Sequence, residues 1–157
     1  MNMIRVAATT ANLTPLDWKG NSKIILEVIE SAKKQGTQLV CLPELTLSGY
    51  GCEDTFLSPY TSRLALESLK GIIPHTKDIA VTIGLPFFFE GLVYNAVAML
   101  QNEKVLGLIL KKQLPREGVH YEPRWFKAWE YGRSETIALL GQKVTLATST
   151  LSLAVFK

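Results

Sequence analysis

Four consecutive apolar residues, Leu39-Val40-Cys41-Leu42, stand just before the pair Pro43-Glu44, and they restrict the fold more than any other segment. A short run without polar alternation suits a strand buried on both faces. Such a strand needs a layer on each side. The residues before it supply one, because from Asn21 onward Ile24, Ile25, Val28, Ile29 and Ala32 recur at helical spacing, Lys33 and Lys34 close the pattern, and Gly36 stops it.

The rest of the chain reads in the same terms. Ile4 to Thr10 is rich in small and β-branched residues and predicts a first strand, ended by the breakers from Asn12 to Pro15. Ser62 to Ile73 predicts a second helix that buries Leu64, Leu66, Leu69 and Ile73, with Pro74 barring its extension. Ile79 to Leu85 predicts a third strand. Val93 to Leu100 and Lys104 to Leu110, separated by Gln101-Asn102-Glu103, predict an antiparallel hairpin. Arg116 to Gly132 is irregular and aromatic-rich, and from Thr136 short apolar runs alternate with Thr and Ser in a strand-like manner. No repeat, linker or low-complexity tract interrupts residues 1–157, which read as one unit of layered helices and strands.

Several classes of function drop out on composition. The net charge is only +3 and the basic residues are scattered in pairs such as Lys33-Lys34 and Lys111-Lys112, which disfavours nucleic acid or an anionic membrane as a partner. The N-terminus lacks an apolar core of signal-peptide length, and Val105 to Leu110 is far shorter than the ~20 residues that span a bilayer. Cys41 and Cys52 match no metal-ligand spacing, so the expectation is a cytoplasmic protein with free thiols and no metal.

Two residues stand where chemistry can be done. Glu44 directly follows the buried strand, where desolvation raises a carboxylate's pKa toward the range a general base needs; a solvated loop glutamate is the plain alternative. Lys111 ends the second arm of the hairpin, and strand alternation sends Lys111 and Lys112 to opposite faces, so that one can turn inward. A cation held there can stabilise an oxyanion, whereas a charged strand end is the commoner role.

Taken together, Pro43-Glu44-Leu45-x-Leu47-x-Gly49-Tyr50, Asn95 after Tyr94, and Lys111-x-x-Leu114-Pro115 occur in the order found in the nitrilase superfamily, which this chain resembles. Gly49 to Asp54 and Glu117 to Trp129 narrow the resemblance to the glutamine-hydrolysing, nitrilase-like domain of glutamine-dependent NAD synthetases. The resemblance implies an α+β fold, an α-β-β-α four-layer sandwich incomplete at the C-terminus, and a Glu, Lys, Cys triad that cleaves amides through a thioester. Glu44 then takes the thiol proton and Lys111 supports the tetrahedral intermediate. Glu122 matches an auxiliary acidic position, positioning Lys111 or the substrate or else forming a plain structural salt bridge with Arg124 or another cation. Tyr50 lines the glutamine pocket or packs in its loop, and Asn95 helps fix the site or bonds backbone. His75 and His120 sit in no motif and read as surface or loop residues.

The resemblance implies glutamine or a related amide as substrate. It also implies no cofactor in this part, ATP and Mg belonging to a synthetase domain beyond it. The expected nucleophile segment, of Glu-Ile-Cys-Glu-Asp type, is missing after Lys111, so thioester chemistry lacks its sulfur and the isolated chain is expected to be inactive. Cys41 reads as core and Cys52 as the only local replacement. A partial second sheet would leave apolar strands exposed, which predicts a homo-oligomer, or association with a synthetase domain or a complete homologue. The alternatives are a catalytically dead nitrilase-like subunit that regulates such a homologue, and a different amidase of the superfamily.

Overall fold

Asp17 accepts the Gly20 amide at 2.9 Å and caps the first helix, α1 (Trp18–Lys34), which therefore starts before the Asn21 that its apolar spacing marks. The computed structural model describes residues 3–118 and 121–148. Ile25, Ile29 and Ala32 form the buried stripe of α1, and Lys33 and Lys34 lie in its last turn, favourably placed against the helix dipole. The second helix, α2 (Pro59–Ile72), opens with Ser58 as cap and Pro59 where a missing N–H costs nothing. Its buried stripe is Ser62, Ala65, Leu69 and Ile72, with Ile73 just beyond. Leu64 and Leu66 flank that stripe and are half-buried, where the sequence reading had them in the core.

Seven strands form one sheet: β1 (Val6–Ala8), β2 (Leu39–Cys41), β3 (Ala80–Phe89), β4 (Leu92–Gln101), β5 (Lys104–Leu110), β6 (Glu135–Leu139) and β7 (Gln142–Ala147). Their order is β1-β2-β3-β4-β5-β7-β6. The pairs β1/β2, β2/β3 and β5/β7 are parallel, and β3/β4, β4/β5 and β6/β7 are antiparallel. The hairpin expected at Asn102 is present. Two more close at Glu90-Gly91 and Leu140-Gly141, and at all three turns both central residues have positive φ, as two-residue hairpin turns of the primed type require. The third strand continues past Leu85 through Pro86, which stands beyond the end of β2's pairing at Thr82, where a proline interrupts no β2 ladder.

Strand alternation divides the sheet into two unlike faces. Val81, Ile83, Leu85 and Phe87 of β3, with Tyr94, Ala96, Ala98 and Leu100 of β4, pack against Ile25 and Ile29 of α1 and Leu69 and Ile72 of α2. Each large aliphatic side chain fully buried here contributes about 1.5–3 kcal/mol. On the other face Leu39, Cys41, Val97 and Ile109 are half-buried and Val6 is exposed. The expectation that β2 is covered on both sides thus holds for one: Val40 is fully buried, while its neighbours point to a face without a second layer among the described residues.

The fold is α+β, and the described residues supply one helical and one strand layer of the α-β-β-α order. They do not begin the partial second sheet expected from the sequence, because β6 and β7 extend the first sheet through β5. No described helix is long and apolar enough to cross a membrane.

Past β2 the chain stays on the sheet, held by Leu42 N–H to Thr82 O and Leu47 N–H to Gly84 O, both at 3.1 Å. Between these anchors the backbone of Pro43 to Leu45 lies directly over Gly84. A Cβ there would sit 2.3 Å from Leu45 N and 2.9 Å from both the Glu44 carbonyl carbon and Pro43 O. Gly84→Ala should therefore lower the unfolding free energy by about 1–3 kcal/mol, the usual range for overpacking, in urea titrations. Gly71→Ala, facing open space in α2, should raise it by roughly 0.5 kcal/mol in the same assay.

Candidate functional site

The hairpin register builds the floor of the site. Lys111 N–H donates to Asn95 O at 2.9 Å, which extends the β4/β5 ladder by one residue and puts both side chains on the face away from the helices. Lys112 turns the other way and lies 4.9 Å over the Tyr131 ring. The alternation expected for this pair is thus observed. Glu44 reaches the same face from the loop that Gly84 admits.

Lys111 Nζ joins two carboxylates, donating to Glu44 Oε1 at 2.7 Å and to Glu122 Oε1 at 2.8 Å. Asn95 Nδ2 donates to Glu44 Oε1 at 2.6 Å and lies 3.5 Å from Glu122 Oε2. Tyr50 Oη donates to Glu122 Oε1 at 2.9 Å. The five residues Glu44, Lys111, Glu122, Tyr50 and Asn95 therefore form one network. Glu122 is 1% exposed, and its described cation is Lys111 and not Arg124.

Arg124 has another partner. Its Nε and Nη2 donate to the two oxygens of Asp54 at 2.8 Å each, and Trp125 Nε1 donates to Asp54 Oδ1 at 2.9 Å. These bonds hold the Asp54 carboxyl down to about 2. Beneath them Leu45, Cys52, Phe56, Val93 and Phe126 form a small apolar cluster, with the Phe56 and Phe126 rings 4.9 Å apart. The segment read as irregular is also tied to the sheet. Glu122 N–H donates to Pro115 O, Lys127 N–H to Val93 O and Trp129 N–H to Lys111 O, at 3.1, 2.8 and 3.1 Å.

The charges follow from these contacts. Burial alone would lower the Lys111 pKa, but its bonds to Glu122 and Glu44 outweigh that and raise it. A raised folded-state value makes the amine's contribution to stability complete below the unfolded pKa of about 10.4, and it is lost as pH climbs past the higher folded value. Burial, then the bond to Glu122, pushes the Tyr50 phenol up, so it stays a donor. Two of the three Lys111 N–H donors are taken by carboxylates, leaving one for a ligand. Glu44 is exposed, where its place after a buried strand predicted desolvation, and both of its described bonds fall on Oε1. An exposed base beside a fixed cation can serve proton transfer and oxyanion stabilisation together.

Cys52 does not fit a nucleophile's surroundings. It is 4% exposed, its thiol donates to Ser48 O and Gly49 O at 3.1 and 3.3 Å, and burial raises its pKa. Cys41 and Cys52 are both free thiols. His75 is exposed at the end of α2, and His120 lies outside the described residues. No metal-binding group of His, Cys, Asp and Glu occurs among the described residues. A groove of 770 Å³ lies between α1 and α2, lined by Trp18, Leu26 and Leu64, and it contains none of the site residues.

Gly84, Asp54 and Trp125 are not singled out in the sequence, and Arg124, weighed there as a partner of Glu122, pairs with Asp54 instead. Gly84 had a legible signal, since a glycine inside a predicted strand marks close backbone approach. Asp54 had none, because its partners are some seventy residues away.

Residues 5–153 match the model of the family described as carbon-nitrogen hydrolase. The glutamine-dependent NAD(+) synthetase of Oryza sativa subsp. indica is 37% identical over 133 residues, which are 83% of this chain and 18% of that protein. A crystal structure of a glutamine-dependent NAD(+) synthetase from Cytophaga hutchinsonii superposes with a TM-score of 0.88 at 41% identity, covering 92% of this chain and 25% of that one. An amidase from Nesterenkonia sp. superposes with a TM-score of 0.66 at 25% identity, covering 92% of this chain and 54% of that one.

The unequal exposure of the two carboxylates has a measurable consequence. Lys111→Met strands the buried Glu122 charge and should cost roughly 3 kcal/mol in urea unfolding, whereas Glu44→Gln, at the exposed end of the network, should cost less than about 1 kcal/mol. Equal losses would show that Glu122 is not the better-buried partner.

Proposed function

This chain belongs to the carbon-nitrogen hydrolase family, and from that premise we propose that it carries the base and cation of a glutamine-hydrolysing centre supplying ammonia for ATP-dependent NAD synthesis from deamido-NAD. The observation that carries the reading is Lys111 Nζ bridging Glu44 and Glu122 at 2.7 and 2.8 Å. The likeness to NAD synthetases over 83% of the chain favours glutamine over other amides, although the chain spans only 18% of the relative's length.

Glu44 takes the proton of a cysteine thiol, and the thiolate adds to the amide carbon. The oxyanion so formed accepts the remaining Lys111 N–H, in a place where the donor is already oriented. Collapse breaks the C–N bond, and the proton held by Glu44 leaves with ammonia. Water, deprotonated by Glu44, then cleaves the thioester and returns the thiol. Tyr50 and Asn95 hold the two carboxylates in place and neither gives up a proton. The sulfur comes from outside this chain's own pair of cysteines, since Cys52 is buried and bonded to carbonyls and Cys41 lies within β2. No cofactor enters these steps. ATP and Mg belong with the synthetase that uses the ammonia.

The test is a composite enzyme in which this chain replaces the matching part of the Cytophaga hutchinsonii synthetase. Glu44→Gln and Lys111→Met should each reduce NAD synthesis from glutamine by about 10²–10⁴-fold, the range for loss of a general base or an oxyanion donor. Synthesis from added ammonium should be unchanged. The chain alone should release no ammonia from glutamine. Turnover by the chain alone that disappears in Cys52→Ala would overturn the assignment of the nucleophile, and equal loss with both nitrogen sources would overturn the assignment of the two residues.

A further inference from the structure

We propose that Asp54 is a positioning residue for the Glu122, Lys111 pair, an inference that rests on the glutaminase reading above. Asp54 is exposed and touches neither Glu44 nor Lys111 in the described hydrogen bonds, so nothing about its own location suggests a part in the site. Its partners do. All three of its described bonds go to Arg124 and Trp125, which immediately follow the Glu122-Pro123 pair.

The turn from Glu122 to Arg124 is short and carries little structure of its own. Trp125 N–H and Phe126 N–H both return to Glu122 O at 2.9 Å, so the fixing of Arg124 and Trp125 adds to the backbone bonds at Pro115 and Val93 in setting where Glu122 stands. Asp54 fixes them with a bidentate guanidinium pair and an indole bond, the most directional combination available to a carboxylate. The same loop also supplies Tyr50, whose hydroxyl bonds Glu122 Oε1. One loop therefore grips the turn twice, once at the carboxylate through Tyr50 and once behind it through Asp54.

The consequence concerns Lys111. Its amine stays protonated and aimed because Glu122 is delivered, almost fully buried, to 2.8 Å. If Asp54 is removed, the turn loses its outer anchor, Glu122 withdraws, and Lys111 is left with Glu44 alone. A misplacement on the order of 1 Å at such a group can cost about 10²-fold in rate. The grip itself persists through the neutral range. The Asp54 carboxyl is depressed to about 2 from an ordinary 3.8, so its contribution is present above the ordinary value and is lost only as pH falls through 2.

The experiment uses the chain as it stands and reads Lys111 directly. Limiting acetylation with an N-hydroxysuccinimide ester at pH 8, mapped by peptide mass spectrometry, gives the reactivity of Lys111 relative to exposed Lys23. Asp54→Ala should raise that ratio at least fivefold, and Arg124→Ala should do the same. The double variant should add nothing beyond Asp54→Ala, which already removes the Arg124 pair together with the Trp125 bond, whereas Arg124→Ala leaves the Trp125 bond in place. Asp54→Asn, which keeps an acceptor for Trp125, gives a smaller rise and serves if the alanine variant does not fold. An unchanged Lys111 ratio in a folded variant overturns the proposal, and faster labelling of Cys52 alone does so too, because Asp54 would then hold only its own loop. In the composite enzyme Asp54→Ala should lower kcat for glutamine about tenfold or more, with KM little changed and ammonium use intact. A rise in Lys111 reactivity in a composite that never uses glutamine would sink the functional reading and leave the geometry standing.

Discussion

Burying the Glu122 carboxylate is the demand that organises this molecule. A carboxyl group at 1% exposure is tolerable only when hydrogen-bond partners surround it, and here Lys111, Tyr50 and Asn95 arrive from three separate segments. Each arrival depends on a different element of the fold. Asn95 and Lys111 face the same way only because β4 and β5 are paired in this register, and a slip by one residue would turn Lys112 to the site and Lys111 to Tyr131. Tyr50 arrives because the loop after β2 is pressed onto the sheet at Gly84.

Two carboxylates on one amine would be redundant if their surroundings were alike. Glu122 has both oxygens engaged and is closed to water, so it acts as a fixed counter-charge. Glu44 shares the amine but has both of its described bonds on one oxygen and stays open to solvent. The difference between them is one of environment, the usual way in which one side-chain type takes two roles in a single site. The lysine bonds both at once and ties the exposed carboxylate to the buried one.

Much of this was legible in the sequence, and the parts that were not share a cause. Glu44 and Lys111 could be singled out from their places at strand ends, and the family resemblance added Tyr50, Asn95 and Glu122, while alternation separated Lys111 from Lys112 without telling which of them turns to the site. The helices were found by periodicity and mis-started only because their caps, Asp17 and Ser58, precede the first apolar position. The strand through Pro86 was cut short because a proline argues against a strand when the neighbouring strand's length is unknown. The Asp54 clamp escaped because ion pairs between distant segments leave no local trace. A second sheet does not begin among the described residues for a different reason: β7 pairs parallel with β5, and a parallel partner cannot be chosen from strand patterns alone.

The unlike faces of the sheet bind the fold and the site together. Helices close one face with large aliphatic side chains. The opposite face presents Leu39, Cys41, Val97 and Ile109 half-buried, and at its margin stand Glu44, Asn95 and Lys111. Apolar area left in this condition favours a covering layer, and any layer laid there also withdraws water from Lys111 and from Glu44. Lower local dielectric would then strengthen every bond in the network at once. The same burial that completes the hydrophobic packing thus sharpens the electrostatics. Glu44, Asn95 and Lys111 accordingly stand at the margin of the face that no second layer covers among the described residues, and not on the face that the helices seal.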